Sequence, residues 1–469
     1  MPSLSHLQRR RTEFLASIDG PVLLMAGSAR ARNYPDNPFP FRADSNFLFF
    51  FATPEQGAAA LFDPADRTVT LYLPERTPEG ALWHGPVPDF AAMRTQHGVD
   101  AVVGVSELAA DVKRRAGGRK VRTLAVADER ATACATAITG ETLDFYRSDR
   151  VGDPAVIQAL ARLRLRKAGD EIDAMRITAR VTKEAHESAM RATRPGVKEQ
   201  EVAGVVEGCF ARHGCVPAYN TILSVRGEVL HNHDHGNVCQ NGDILLLDAG
   251  AEDAATGYCS DVTRSWPVSG RFTSEQAEVY DIVLRAELAA IAAAKPGARY
   301  RDVHLLASRV IAEGLVDLGL LHGKPDDLVE SGAHALFFPH GVGHLLGLDV
   351  HDMETFGDAV AYAPGRTRSA QFGTKYLRLD LDLEPGMAFT IEPGIYFVPA
   401  ILHHAEFRDR FQGQVDFERA ERWLQANDGR GFGGIRIEDD VLCTTSGNEV
   451  LTAAIVKERR EVEALVGKG

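Results

Sequence analysis

The chain has 469 residues, 45% hydrophobic and 25% charged, with 52 Lys and Arg against 65 Asp and Glu for a net charge of -13. That length predicts about two to four domains and excludes a disulfide-stapled miniprotein, and the composition excludes a fibre or a disordered chain. The acid excess offers no field to phosphate backbones or anionic lipid, so neither nucleic acid nor a membrane is an expected partner.

The basic start, with Arg9-Arg10-Arg11, is not followed by the apolar stretch of a secretory signal. No later run approaches the roughly 18 apolar residues of a membrane span, and the expectation is a cytoplasmic protein. From Pro21 to about Asp128, short apolar runs at 21–25, 47–51, 68–73 and 121–126 alternate with polar turns, which predicts an α/β domain. The Phe-rich run 47–51 reads as a buried strand. Asp153-Pro154 starts a helix, with a capping carboxylate ahead of a proline whose missing N–H does no harm. Leu163-Arg164-Leu165-Arg166 alternates like a short half-exposed strand, and Gly169-Asp170 opens a long helix carrying Ile172, Met175, Ala179, Thr182 and His186 at helical spacing. His186 on that face reads as a packed structural histidine. The domain boundary is placed here, dividing the chain into 1–165 and 166–469. Thr273-Ser274-Glu275-Gln276 is a capping box for an Ala-rich helix ending before Pro296-Gly297, and a second helix spans about 301–318. Strand-like runs return after it, so the second domain reads as α+β with mostly antiparallel strands. The six cysteines form no C-x-x-C pair, which fits a reducing compartment.

Histidines concentrate in two windows, 231–235 and 340–351. The first could be a solvated polar loop; the second embeds its histidines among glycines and apolar residues. His340 and His344 are spaced like the zinc-protease H-E-x-x-H helix, but Gly341 stands where that motif has its base and Gly343 weakens a helix. Carboxylates complete the pattern. Asp248 ends the apolar run 245–247 and Asp261 begins another after the turn-like 254–257, so a hairpin would bring both onto one face. Glu392 and Glu438 repeat the theme. An acid within an apolar strand is expensive unless paired or metal-bound. With His344 these four make a hard, oxygen-rich set suited to manganese, cobalt or a similar ion, and two divalent ions would balance four carboxylates.

The order Asp-Ala-Gly at 248–250, Asp-Val-Thr-Arg at 261–264, His-Gly-x-Gly-His-x-x-Gly-x-x-Val-His-Asp at 340–352, Ile-Glu-Pro-Gly at 391–394 and Gly-Ile-Arg-Ile-Glu-Asp at 434–439 resembles the pita-bread metallopeptidases, specifically the proline-specific aminopeptidase P and prolidase. The N-terminal segments 41–47 and 81–85 are similar to the first domain of those enzymes. The resemblance implies an aminopeptidase P-like α/β domain over 1–165 and a pita-bread α+β catalytic domain with a curved, mostly antiparallel sheet over 166–469. By position it assigns Asp248, Asp261, His344, Glu392 and Glu438 to two ions, expected to be Mn2+, with Asp261 and Glu438 bridging. His231, His340, His351 and Arg436 match active-site positions, and Tyr219 matches a residue that steadies a ligand carboxylate. The 13-position gap between the aspartates is longer than in typical members, implying a longer hairpin tip in an unchanged register.

The implied reaction is hydrolysis of the Xaa-Pro bond at a peptide's N-terminus. Metal activation of water, proton transfer by Glu392 and oxyanion stabilisation by His351 would drive it, with His231 and His340 lining the proline side. Arg378 occupies the position associated in prolidases with a dipeptide's carboxylate, so a strict dipeptidase is the alternative. Trp83 is expected to close the substrate site, within or across subunits, in a homo-oligomer (dimer or tetramer). A creatinase-like enzyme lacks such a metal site. An inactive pita-bread binding module would leave the full ligand set without a task.

Overall fold

The computed structural model describes residues 2–51, 55–75, 77–85 and 88–468. The chain divides into two compact units, one of Met1–Leu165 with Ala255–Gly257 and Met353–Val360, the other of Arg166–Ala254, Tyr258–Asp352 and Ala361–Gly469. Among the described residues, no helix is long and apolar enough to cross a membrane.

In the first unit, strands β1 (Val22–Met25), β2 (Ala59–Asp63), β3 (Thr68–Leu73), β4 (Ala101–Gly104) and β5 (Arg122–Thr123) form a sheet in the order β4-β3-β2-β1-β5. The β1–β2 and β2–β3 pairs are antiparallel; β3–β4 and β1–β5 are parallel. Leu23, Leu61 and Tyr72 pack one face against Val112 and Ala135 of flanking helices. The Phe-rich run is a helix, Ser45–Phe51, and not the expected strand. All seven of its residues are buried, so no alternation marks the helical period, and a short apolar run buried all round is ambiguous in sequence. Asp44 decides it locally: its carboxylate accepts from Asn46 N–H at 2.9 Å and its carbonyl from Leu48 N–H at 2.9 Å, closing the first turn. The expected strand at 163–166 is also absent. Leu163 and Arg164 finish the helix Pro154–Arg164, which Asp153 caps through Ala155 N–H at 2.9 Å. The alternation misleads because Arg164, not its leucine neighbours, is the buried residue; its guanidinium donates to Asn46 Oδ1 at 2.7 Å.

The second unit is built on four helices, Gly169–Ala192, Glu199–Arg212, Ser274–Ala293 and Tyr300–Asp317, and on antiparallel strands. Strands β6 (Cys215–Pro217), β7 (Ile222–Ser224), β8 (Ile244–Asp248), β9 (Ala251–Asp253), β10 (Thr263–Pro267), β11 (Ala388–Ile391), β12 (Gly394–Tyr396), β13 (Gly434–Arg436), β14 (Asp439–Cys443) and β15 (Asn448–Val450) pair as β10-β8-β7, β11-β14-β15, β12-β13 and β6-β9. The capping box at 273–276 is present, with Thr273 Oγ1 accepting from Gln276 N–H at 3.2 Å and the Gln276 amide oxygen accepting from Thr273 N–H at 3.0 Å. The return to strands after 318 is only partial, because Pro325–Ser331, Ala405–Arg410 and Phe417–Leu424 are helical. The core centres on Trp266, fully buried against Phe210, Leu245 and Leu247, with its indole N–H on Thr193 Oγ1 at 3.0 Å. His186 is packed as expected, Nε2 lying 3.0 Å from Ala249 O.

Candidate metal centre

Strand register assembles the carboxylates. β8 and β10 pair antiparallel with Asp248 opposite Thr263, and the same register recurs at Glu252 opposite Cys259, which sets Gly250 opposite Asp261. Asp248 and Asp261 therefore share a face on a diagonal, with no side chain between them. A Cβ at Gly250 would lie 1.7 Å from Ser260 O, so the close approach of the strands here requires glycine. The second pair is more direct: Ile391 opposite Asp439 and Gly394 opposite Arg436 belong to one register, which sets Glu392 opposite Glu438. Glu438 N–H donates to Thr263 O at 3.0 Å, joining the two hairpins.

The histidines arrive on an irregular segment. Residues 342–345 lie along β11, with Thr390 N–H donating to His344 O at 2.9 Å and Glu392 N–H to Val342 O at 2.8 Å. Gly343, at φ +153°, lets the segment come this near; a Cβ there would meet Thr390 O at 2.3 Å and Tyr300 Oη at 2.4 Å. His344 Nδ1 lies 3.0 Å from Leu345 O, an acceptor only, so it holds the ring proton and Nε2 presents its lone pair 3.3 Å from Asp261 Oδ2 and 3.9 Å from Glu392 Oε1.

Donor atoms of Asp248, Asp261 and Glu438 lie within 4.8 Å of one another, as do those of His344, Glu392 and Glu438. The two triads contain the five expected ligands and share Glu438. Asp261 reaches across through His344. Burial, then Asp248, pushes Asp261 up to about 7. Burial pushes Glu392 up to about 7 against the pull of His344 and Arg436, and Glu438 is raised well above its ordinary value by burial and Asp261. These carboxylates cannot all ionise side by side unless a cation joins them. Tyr219 Oη contacts Oδ1 of both Asp248 and Asp261, and its single proton serves only one of them. The donor set therefore fits divalent cations: oxygen-rich, anionic, and short of compensating charge.

Arg436, His340, His351 and Arg378 lie around this cluster. Arg436 donates to Asp248 Oδ2 at 2.5 Å, to Thr263 Oγ1 at 3.0 Å and to Tyr396 Oη at 3.0 Å. His340 Nε2 is 2.9 Å from the same tyrosine hydroxyl and Nδ1 2.8 Å from Gly341 O, so Nδ1 donates and Nε2 accepts. Burial, reinforced by Arg436, holds His340 down to about 3, and it stays neutral. His351 lies against His344 with centroids 4.1 Å apart and the rings tilted by 60°, and Arg378 Nη1 donates to its Nδ1 at 3.2 Å, which leaves the ring proton on Nε2. His231 is exposed in the turn 227–231; partial burial and Arg436 lower its pKa, and Asp248, Arg378 and His351 also act on it. Trp83 belongs to the first unit, on the helix Pro78–His84, and is 74% exposed.

Sequence reasoning passed over three participants. Thr263 donates from Oγ1 to Glu438 Oε2 at 2.7 Å, Tyr396 links His340 to Arg436, and Asp440 accepts from Asp261 N–H at 3.1 Å. Period-two alternation would have flagged each, since Thr263 follows Asp261 by two, Tyr396 follows Glu392 by four and Asp440 follows Glu438 by two. Behind them Asp439 is held by Arg264 at 2.8 Å, by Thr452 at 2.7 Å and by Lys457, with Arg264 also donating to Glu438 O at 2.6 Å.

Comparison with known proteins agrees with this geometry. Residues 173–445 match the profile of Metallopeptidase family M24, and residues 7–124 that of the Aminopeptidase P, N-terminal domain. The chain is 33% identical over 453 residues to the Xaa-Pro dipeptidase of Homo sapiens, covering 94% of this chain and 88% of that protein. It is 32% identical over 478 residues to the Xaa-Pro aminopeptidase of Escherichia coli K12, covering 99% and 98%. The structure of zinc-substituted E. coli aminopeptidase P in complex with product is similar at TM-score 0.80 and 30% identity, covering 99% of this chain and 98% of that one. With an α/β domain ahead of an antiparallel catalytic domain, the chain belongs to metallopeptidase family M24, the pita-bread family of metal-dependent hydrolases that includes Xaa-Pro aminopeptidase and prolidase.

Proposed function

We propose that the protein is a two-metal exopeptidase that hydrolyses the Xaa-Pro bond at the N-terminus of peptides. Residues 1–165 serve as its aminopeptidase P-like domain and 166–469 as its catalytic domain. The observation that carries this reading is the pair of donor triads sharing Glu438 inside a chain of family M24. Asp248, Asp261, His344, Glu392 and Glu438 would hold the ions, with Asp261 and Glu438 common to both, and the hard donor set favours manganese. When bound, such a pair supplies Lewis acidity and an activated water at neutral pH.

The side chains supply the rest. Glu392, set opposite Glu438 by the strand register and 3.9 Å from His344 Nε2, is poised to accept a proton from the nucleophile and pass it to the leaving proline nitrogen. His351, with its proton on Nε2, donates to the developing oxyanion. His340, neutral and bonded at both nitrogens, and His231 would line the proline side. Arg436 ties Asp248 to Tyr396 and so keeps the ligand carboxylate and His340 in one frame. A ring pocket selects proline without a hydrogen bond to its nitrogen, because the bond before proline has no N–H. Trp83, exposed on its helix, is a candidate for substrate contact, within or across the subunits of a homo-oligomer; Trp83→Ala should raise KM with kcat little changed.

The test is removal of metal by a chelator followed by manganese add-back: Xaa-Pro hydrolysis should vanish and return, and an apoprotein that binds manganese without regaining hydrolysis is a binding module. Arg378 favours a second reading, a strict dipeptidase. Its guanidinium lies 3.2 Å from His351, near enough to the reacting centre to take a dipeptide's carboxylate. Cleavage of a Xaa-Pro-Yaa tripeptide as fast as of the dipeptide would defeat it. Arg378→Ala should lower dipeptide kcat/KM by about 10–100-fold, the worth of a charge-assisted hydrogen bond. An equal loss on both substrates would assign Arg378 to orienting His351 alone.

A further inference from the structure

On the helix pair Gly169–Ala192 and Glu199–Arg212, a second group of ligating side chains converges. Cys209 and His213 stand four apart at the end of the second helix, so both project towards the first, where Glu184 meets them. The donor atoms of Glu184, Cys209 and His213 all lie within 4.8 Å of one another. His213 Nε2 is 2.9 Å from Glu184 Oε2, while Arg212 holds the other oxygen, Oε1, at 3.2 Å. Cys209 is fully buried, and the Glu184 and His213 side chains are 48% and 40% exposed. The cluster thus has a sulfur floor and an open polar rim.

We infer that Glu184, Cys209 and His213 form an accessory site for a thiophilic divalent cation of the zinc class. Bond lengths of about 2.0–2.3 Å to N, O and S in a tetrahedron set donors about 3.4–3.6 Å apart, so His213 and Glu184 need separate by only about half an ångström. Glutamate and thiolate together neutralise a divalent charge. Arg212 can keep Oε1 while the ion takes Oε2, and water fills the fourth position. The cysteine thiol proton leaves to solvent on binding, so affinity rises with pH. The ion would bind the two helices to each other. The first of them supports the ligand hairpin of the main centre, through Thr182 Oγ1 accepting from Ala251 N–H at 3.0 Å and His186 at Ala249 O. The accessory site differs chemically from that centre, whose five proposed ligands include no sulfur.

That difference supplies the test. Cobalt(II) titrated into the full-length, manganese-loaded protein should produce one equivalent of the near-ultraviolet thiolate-to-cobalt charge-transfer absorption. Cobalt entering the main centre cannot give that band. Cys209→Ser should abolish it and Cys134→Ser, at the exposed cysteine of the other unit, should leave it intact. If Cys209→Ser fails to fold, His213→Gln at the surface decides: cobalt should bind more weakly by at least about tenfold, since losing a direct ligand exceeds losing an outer partner. No band in the wild type, a band that survives Cys209→Ser, or unchanged affinity in His213→Gln would overturn the site.

Discussion

The carboxylates and the histidines of the proposed metal centre are held in different ways. Asp248, Asp261, Glu392 and Glu438 are placed by strand register, two residues at a time, so the backbone ladder itself sets their separation. His340, His344 and His351 sit on a segment with little regular structure, and each is oriented by a partner at a ring nitrogen: Gly341 O with Tyr396, Leu345 O, and Arg378. Register is an all-or-none device, whereas orientation by side-chain partners can be loosened one bond at a time. Damage to the carboxylates should therefore abolish function, and damage around the histidines should grade it.

The largest effect is expected at Asp261. Asp261→Asn keeps the shape and removes the carboxylate charge that lies between Asp248 and His344, so bound metal measured after gel filtration should fall below two equivalents. Turnover should drop by about 10³-fold or more, beyond the loss of a single oxyanion donor. Retention of two ions with near-normal turnover would contradict the assignment of Asp261 as a ligand. Gly343→Ala attacks the junction between the two kinds of support. The new methyl would meet Thr390 O at 2.3 Å, so the histidine segment must lift from β11. A loss of about 1–3 kcal/mol in urea melts is expected, with weakened metal retention.

Tyr396→Phe isolates the graded side. It removes the hydroxyl between His340 and Arg436 and leaves buried polar groups short of a partner, at about 1–3 kcal/mol. The expected result is kcat lower by about 10–100-fold with both metal equivalents retained. Loss of metal instead would show that Arg436 depends on Tyr396 to hold Asp248.

The same contrast explains what could be read from the sequence. Asp248, Asp261, Glu392 and Glu438 were legible because a carboxylate ending an apolar strand violates the burial pattern, and the motif order around them resembles a known family. The long helices were legible through caps and period, as at Asp153 and Thr273. Tyr396 and Thr263 were missed because a tyrosine or threonine in a strand breaks no rule; only its place on the same face as a ligand marks it. The Phe-rich helix was missed because burial on every side erases the period, and the supposed strand at 163–166 because a buried arginine reverses the expected alternation. Sequence reports violations of pattern. It is silent where a polar residue sits in an ordinary position and finds its partner only in three dimensions.

A histidine with no orienting partner gives the smallest effect at neutral pH and a growing one in acid. His304, on the Tyr300–Asp317 helix, is fully buried against Phe338 with neither ring nitrogen hydrogen-bonded, and burial, with His334 adding, pushes it down to about 3. His334, bonded through Nδ1 to Leu328 O at 3.2 Å, is pushed down to about 4 by burial. Both folded-state values lie below the ordinary histidine range, so between about 6.5 and these values the unfolded chain binds more protons than the native one. Stability should therefore be full above about pH 6.5 and fall as the pH drops towards 3–4. His304 alone should account for about 2 kcal/mol between pH 7 and 5. His304→Phe keeps the ring packing and removes the titration, so its urea melts should lose that share of the acid slope. Metal release in acid is common to both proteins and cancels in the difference; an unchanged slope would mean that His304 already meets water or a proton in the native state.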